Sequence, residues 1–249
     1  MLKKVFENKI VLIIGATGGI GEVVSKRLDD EGASLILFSR NEDKLNKLND
    51  ELNNKHLIIC GDATNPNDLE TAVAAGIEKF GRIDSMIHAV GSIVLKPLHN
   101  TDEETFRNVI ELNLISPFLA IKSVIKNMLK QQSGNIVVVS SVAGSKGLTN
   151  HEAISAAKGG LESMIRSASV TYAKKGIRFN GVALGLVDTP LAKFLTANDI
   201  SRKASESLHP MGRIGSPQDV VEAILYLASE NSSWVTGTII PIDGGMKAN

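Results

Sequence analysis

The segment Lys9-Ile10-Val11-Leu12-Ile13-Ile14 runs directly into Gly15-Ala16-Thr17-Gly18-Gly19-Ile20-Gly21, and an amphipathic stretch follows to Asp30. An uninterrupted Ile/Val/Leu run suits a strand buried on both faces, as in a parallel sheet covered by helices. The order therefore predicts strand, glycine turn, helix. In that geometry Gly15 permits the tight turn, Gly19 lets backbone approach a pyrophosphate, and Gly21 lets the helix pack closely on the sheet. The N-terminus of the helix offers free N–H groups to the phosphates. A glycine cluster alone says little; the strand before it and the helix after it give it meaning.

The same alternation continues along the chain. Apolar, β-rich runs predict strands over 34–38, 57–60, 85–90, 136–139, 178–183 and 238–242, and helical patterns fall over 43–52, 68–80, 103–129, 153–173 and 217–228. This order predicts an α/β fold, a doubly wound parallel sheet with right-handed crossovers and helices on both faces. At 249 residues, with no repeat or linker, the chain reads as one domain, 1–249. The least regular long piece, 186–212, has the length of a functional loop, and its short helical stretches suit a lid over a substrate.

Charge narrows the partners. Lys+Arg and Asp+Glu are balanced at 27 each, so no global field recruits nucleic acid or an anionic membrane. The one cysteine, Cys60, excludes an internal disulfide or a cysteine-rich metal site, and its place in Leu57-Ile58-Ile59-Cys60 predicts a small core residue. No metal is expected. The start, Met1-Leu2-Lys3-Lys4-Val5-Phe6-Glu7, has no apolar core of signal-peptide length, and no later stretch reads as long enough to span a bilayer. The expectation is a soluble, cytoplasmic protein.

In a dinucleotide-binding unit the residue after the second strand selects the cofactor: a carboxylate there binds a ribose 2′-hydroxyl, whereas an arginine neutralises a 2′-phosphate. Here the strand ends Phe38-Ser39-Arg40, and Glu42 and Asp43 fall in the first turn of the next helix, where they complement its dipole. NADP(H) is preferred, with NAD(H) as the alternative. Arg40 as a plain solvated loop cation is the competing reading.

Taken together, the motifs resemble those of the classical short-chain dehydrogenase/reductase family, nearest in layout to its 3-oxoacyl-carrier-protein reductase-like members. The glycine turn carries Gly15, Thr17, Gly19, Ile20 and Gly21; Asp62-Ala63 after the third strand matches the adenine contact; His88-Ala89-Val90-Gly91 is a degraded Asn-Asn-Ala-Gly that keeps the glycine. Asn113 matches the asparagine that kinks the long helix and holds a proton-relay water, Ser141 the catalytic serine and Lys158 the catalytic lysine. Leu184-Gly185 stands for the later Pro-Gly, and Val187 and Thr189 match contacts to the nicotinamide carboxamide. Gly212-Arg213-Ile214-Gly215-Ser216-Pro217, Thr236-Gly237 and Asp243-Gly244-Gly245 complete the signature. The resemblance implies a seven-stranded Rossmann-type sheet in the order 3-2-1-4-5-6-7. It also implies a homodimer formed through the 103–129 and 153–173 helices, or a homotetramer that the C-terminal segment helps to build.

One departure concerns the chemistry. In Ile154-Ser155-Ala156-Ala157-Lys158 the lysine of the family's Tyr-x-x-x-Lys is present and the tyrosine is Ile154. In the family the phenol protonates the substrate oxygen, and a positioned general acid is worth roughly 10²–10⁴-fold in rate. His151 lies three residues earlier, one helical turn away if the helix begins early enough, and an imidazole's ordinary pKa of about 6.5 suits a donor near neutrality. A solvated or capping role for His151 is the plainer alternative. Ser155 points a quarter-turn away and is a poor acid, Tyr172 reads as packing near the helix end, and solvent or substrate are further proton sources. The resulting reading is an oxidoreductase moving hydride between a nicotinamide and a carbonyl/alcohol pair. The alternatives are an enoyl-type double-bond reductase, in which Ser141 and the cofactor ribose stabilise a thioester oxygen, and a catalytically weak sensor. The apolar run around Ser92-Ile93-Val94-Leu95 points to a small lipophilic substrate.

Overall fold

Strand β1 (Ile10–Ile14) is buried along its whole length, as a strand covered on both faces must be. The computed structural model describes residues 4–54 and 56–248, so the first three residues of the N-terminal segment lie outside the described residues. From β1 the chain alternates through α1 (Gly19–Asp30), β2 (Ser34–Ser39), α2 (Glu42–Glu51), β3 (Leu57–Cys60), α3 (Pro66–Phe80) and β4 (Ser85–His88). It continues through α4 (Glu103–Ile110), α5 (Ser116–Gln131), β5 (Gly134–Ser141), α6 (Glu152–Tyr172), β6 (Ile177–Leu184), α7 (Asp199–Ser207), α8 (Pro217–Ala228) and β7 (Ile239–Ile242). The strands form one sheet in the order β3-β2-β1-β4-β5-β6-β7, every neighbouring pair parallel.

Helices α1, α2 and α8 bury Val24, Leu28, Leu45, Leu48 and Ile224 on one face of the sheet. On the other face α3, α5 and α6 bury Leu69, Ala120, Val124, Leu161 and Ile165. The strand order reverses between β1 and β4, which opens a crevice at their C-terminal ends where such sheets take ligands.

Several local expectations are corrected. Cys60 is exposed rather than in the core: it ends β3, the edge strand of the sheet, and its Sγ donates to the Arg40 carbonyl at 3.4 Å. Strand β4 stops at His88, two residues short of the apolar run, because Ala89 onward turns along the crevice. The 103–129 helix is not continuous: a π turn at Glu111–Ile115, centred on Asn113, interrupts it where the resemblance places a kink. The run Glu103–Gln131 is also long and apolar enough to cross a bilayer by length and composition, contrary to the expectation that no stretch is. In this fold it is a packed helix whose Val109, Ala120, Val124 and Met128 are buried.

Candidate active site

The nucleotide end of the site is built by the turns after β1, β2 and β3. Gly15 has φ +88°, a left-handed conformation natural to glycine, and its N–H donates to the Phe38 carbonyl at 2.9 Å. A Cβ on Gly21 would stand 2.1 Å from the Gly15 carbonyl oxygen, so α1 reaches the turn only with hydrogen there. A Cβ on Gly19 would meet the Thr189 side chain at 2.7 Å, which brings the glycine turn against the segment after β6. Gly18 caps α1 with no side-chain hydrogen bond, leaving the first-turn N–H groups open to an anion.

Thr17 Oγ1 and Ser39 Oγ are 2.6 Å apart and tie this turn to the end of β2. Arg40 follows, exposed. The Asp62 carboxylate is spent on its own loop, accepting from Thr64 N–H and Thr64 Oγ1–H at 2.8 Å each. These bonds, with a smaller contribution from the Arg40 charge, hold it below the usual carboxylate range. Its backbone N–H in turn donates to Asp68 at 2.8 Å, and Ala63 beside it is buried.

Beyond β4, β5 and β6 lies a cavity of about 450 Å³. Ile20, Ala89, Gly91, Asn113, Ser141, His151, Ile154, Lys158, Gly185, Val187 and Thr189 all line it, so residues far apart in sequence meet on one space. Asn113 is fully buried at the π turn. Its Oδ1 accepts the Ser92 N–H at 3.2 Å, and its Nδ2 donates to Ser92 Oγ at 2.9 Å and to the Val109 carbonyl at 3.0 Å. Lys158 Nζ donates to the Val139 carbonyl at 2.9 Å. Burial pulls this ammonium down to about 8, and the carboxylate of Glu162 one turn along α6 pushes the other way. Glu162 is itself buried and accepts from Ser140 Oγ at 2.8 Å. Ser141 ends β5 and its Oγ accepts the Ala143 N–H at 3.2 Å, which leaves its own proton available to the cavity.

Ile154 stands one turn before Lys158 on α6, only 5% exposed, in an apolar cluster with Val109, Ala143, Ala153 and Ala157. His151 is the N-cap residue of α6, and its Nδ1 lies 2.7 Å from the Thr149 carbonyl. A carbonyl can only accept, so Nδ1 carries the hydrogen. Tyr172 stacks on Phe179 with ring centroids 5.4 Å apart; neither it nor Tyr226 lines the cavity.

Gly185, Val187 and Thr189 form the far wall. Leu186 and Asp188 are pinned to Gly215 by backbone hydrogen bonds of 2.9 and 2.8 Å, and Val187 bridges to Gly215 as an isolated parallel pair. Over them the 186–212 segment folds as a 3-10 stretch, Pro190–Thr196, followed by α7, and Leu191, Leu195 and Leu208 face the cavity.

Three residues of consequence carry no signal in the local sequence pattern. His209, buried, donates from Nδ1 to the Ser205 carbonyl at 2.9 Å and accepts at Nε2 from the Leu186 N–H at 3.1 Å, so it joins α7 to the wall after β6. His88 is buried below the cavity with Nε2 2.9 Å from Ser116 Oγ; burial first, then the Lys158 charge, push its imidazole down to about 3. Glu162 is the third. Their partners come from other elements, so periodicity alone does not find them.

The set fits a dinucleotide: an uncapped helix N-terminus, a glycine turn that a side chain would fill, and an apolar cavity with a buried lysine at its base. A family model described as enoyl-(acyl carrier protein) reductase matches residues 15–247. The chain is 35% identical over 246 residues to cis-4-hydroxycyclohexanecarboxylate dehydrogenase of Sinomonas cyclohexanicum, covering 98% of both chains. It is 35% identical over 243 residues to the 3-oxoacyl-acyl-carrier-protein reductase FabG of Thermotoga maritima, covering 96% of this chain and 98% of that one. Among solved structures, levodione reductase superposes with a TM-score of 0.91 at 32% identity over 98% of this chain and 99% of that one. ElxO with NADP bound superposes with a TM-score of 0.91 at 28% identity over 97% and 99%.

Proposed function

Because the chain belongs to the short-chain dehydrogenase/reductase family, we propose that it is an NADP(H)-dependent oxidoreductase acting on a carbonyl/alcohol pair of a small, lipophilic substrate. The observation that carries this reading is the meeting of Asn113, Ser141 and Lys158 on one cavity, opposite Val187 and Thr189. A purely structural cavity has no use for a buried lysine beside a free serine hydroxyl.

When bound, the nicotinamide supplies or takes up the hydride. The N–H groups at the start of α1 hold the pyrophosphate, Arg40 takes the 2′-phosphate, and Asp62 and Ala63 border the adenine. Lys158 holds the nicotinamide ribose, and Gly185, Val187 and Thr189 orient the carboxamide. Ser141 donates its hydroxyl proton as a hydrogen bond to the substrate oxygen, stabilising charge as it develops there. Asn113 fixes the Gly91-Ser92 backbone beside them, and the 186–212 segment covers the substrate as a lid. NADP bound to ElxO and the cofactor choice at Arg40 support NADP(H).

The relatives named for cis-4-hydroxycyclohexanecarboxylate and levodione suggest an alicyclic ketone; the one named for 3-oxoacyl-acyl-carrier-protein suggests a β-keto thioester. Both suit a cavity walled by leucines. Ile154 favours a second reading, reduction of an enoyl thioester double bond. There the charge falls on the thioester oxygen within reach of Ser141, and carbon protonation follows from water.

The test is calorimetric binding of NADPH and NADH, followed by NADPH oxidation with alicyclic ketones, β-keto thioesters and enoyl thioesters. The reading expects NADPH binding tighter than NADH and turnover of a ketone. Turnover confined to enoyl substrates supports the second reading. Tight binding with no turnover on the panel supports a sensor, and no heat with either nucleotide overturns all three.

A further inference from the structure

We infer that His151 is the proton donor of this site, taking over from outside position 154 the role that Ile154 cannot perform. This rests on the carbonyl-reductase reading above. The titratable side chains lining the cavity are His151, Lys158 and His209. His209 is excluded by its bonding: Nε2 accepts from the Leu186 N–H and Nδ1 is held by Ser205, so it has no proton to give to a substrate. Lys158 is directed at the Val139 carbonyl and is committed to the ribose in the proposed complex. The serine and threonine hydroxyls of the lining hold their protons too tightly to act as acids near neutrality.

His151 has the complementary arrangement. Its Nδ1–H is fixed on Thr149 at 2.7 Å, and its Nε2 has no hydrogen-bond partner among the described residues. A backbone carbonyl on one ring nitrogen sets both the tautomer and the orientation of the other. The residue caps α6 one turn before Ile154, and both line the same cavity. Glu152, its acidic chain neighbour, is exposed.

The carbonyl carbon accepts hydride from the reduced nicotinamide, the C=O π pair moves onto oxygen, and that oxygen takes the Nε2 proton of the imidazolium. The products are the alcohol, the oxidised nucleotide and a neutral imidazole that keeps its Nδ1–H on Thr149. Solvent then restores the Nε2 proton.

The test uses His151→Gln and His151→Ala in the full-length protein. Long-range ¹H–¹⁵N spectra of the wild type without nucleotide are expected to show hydrogen on His151 Nδ1. For ketone reduction, kcat/KM is expected to fall about 10²–10⁴-fold in either variant, with the NADPH Kd unchanged and with the ionisation attributable to His151 gone from the pH profile. Imidazole added to His151→Ala should restore part of the lost rate. Wild-type kcat/KM in His151→Gln, or an Nε2–H tautomer in the spectra, overturns the assignment while leaving the carbonyl-reductase reading standing. A wild type that binds NADPH and reduces no ketone overturns that reading and the donor role with it.

Discussion

Asn113 grips Ser92 from both ends, its Oδ1 accepting the Ser92 N–H at 3.2 Å and its Nδ2 donating to Ser92 Oγ at 2.9 Å. The amide thereby fixes the Gly91-Ser92 backbone at the lip of the cavity, and a Cβ on Gly91 would stand 3.1 Å from the same Oδ1. Replacing Asn113 by Ala strands these partners in a buried setting, at a cost of about 1–3 kcal/mol. Urea denaturation is expected to show that loss. Ser92→Ala, which removes only the Oγ partner, should lose less; an equal or larger loss in Ser92→Ala counts against the clamp.

Lys158 is expected to dominate nucleotide affinity. Lys158→Ala removes a charge-assisted hydrogen bond, so the NADPH Kd should rise about 10- to 100-fold, as measured by calorimetry. The ammonium of the free protein titrates at about 8, so affinity should decline as pH rises through that value. Glu162→Gln removes the charge that favours the ammonium and should move the decline to lower pH. Unchanged affinity in Lys158→Ala means that the lysine serves some other group.

His88 makes the fold acid-sensitive. Its folded-state imidazole protonates only near 3, whereas an unfolded one protonates near 6.5, so the unfolded chain binds the proton first. The stability contributed by the neutral, buried ring is complete above pH 6.5 and is lost as pH falls toward 3. Between pH 7 and pH 5 this amounts to about 2 kcal/mol. Urea midpoints at the two pH values should show that drop in the wild type and a smaller one in His88→Asn. An identical drop in both assigns the acid sensitivity elsewhere.

His209→Ala should loosen the cover of the cavity, since the Leu186 N–H and the Ser205 carbonyl lose their common partner. The expected result is a several-fold rise in substrate KM with little change in NADPH Kd. Trypsin should also cut faster at Lys193, Arg202 or Lys203 within the 186–212 segment. Wild-type proteolysis and KM together would show that α7 is held by other contacts.

Association is proposed to run through the outer faces of α4, α5 and α6, where Phe106, Phe118 and Val170 are exposed apolar side chains. Sedimentation at micromolar concentration should give a symmetric dimer or tetramer. The double change Phe118→Glu, Val170→Glu should shift it toward monomer, because two buried charges per face cannot be paired. A monomeric wild type refutes the proposal.

The strands and nearly all the helices are legible in the sequence because each rests on an apolar period or a glycine turn with its neighbours, whereas the strand order follows from the family resemblance. What escapes is set by tertiary position. Leu57-Ile58-Ile59-Cys60 reads as interior, but only the place of β3 at the sheet edge decides that Cys60 faces solvent. The π turn around Asn113 leaves no mark on the apolar period of the 103–129 helix, since one extra residue in a turn shifts the pattern less than the pattern's own scatter. Asn113, Ser141 and Lys158 are legible because they sit in recognisable motifs. His209 is not, since its partner Leu186 lies 23 positions away and only the closed chain brings them together.

Ile154 has two surroundings. It is wedged among Ala143, Ala153 and Ala157, with Val94 and Leu148 packed against the same cluster. On its other side Ile154 borders the cavity, so the one side chain both packs the start of α6 and shapes the space beside Ser141 and Lys158. A change of side-chain volume at this one position therefore alters the seating of α6 and the dimensions of the reaction chamber together.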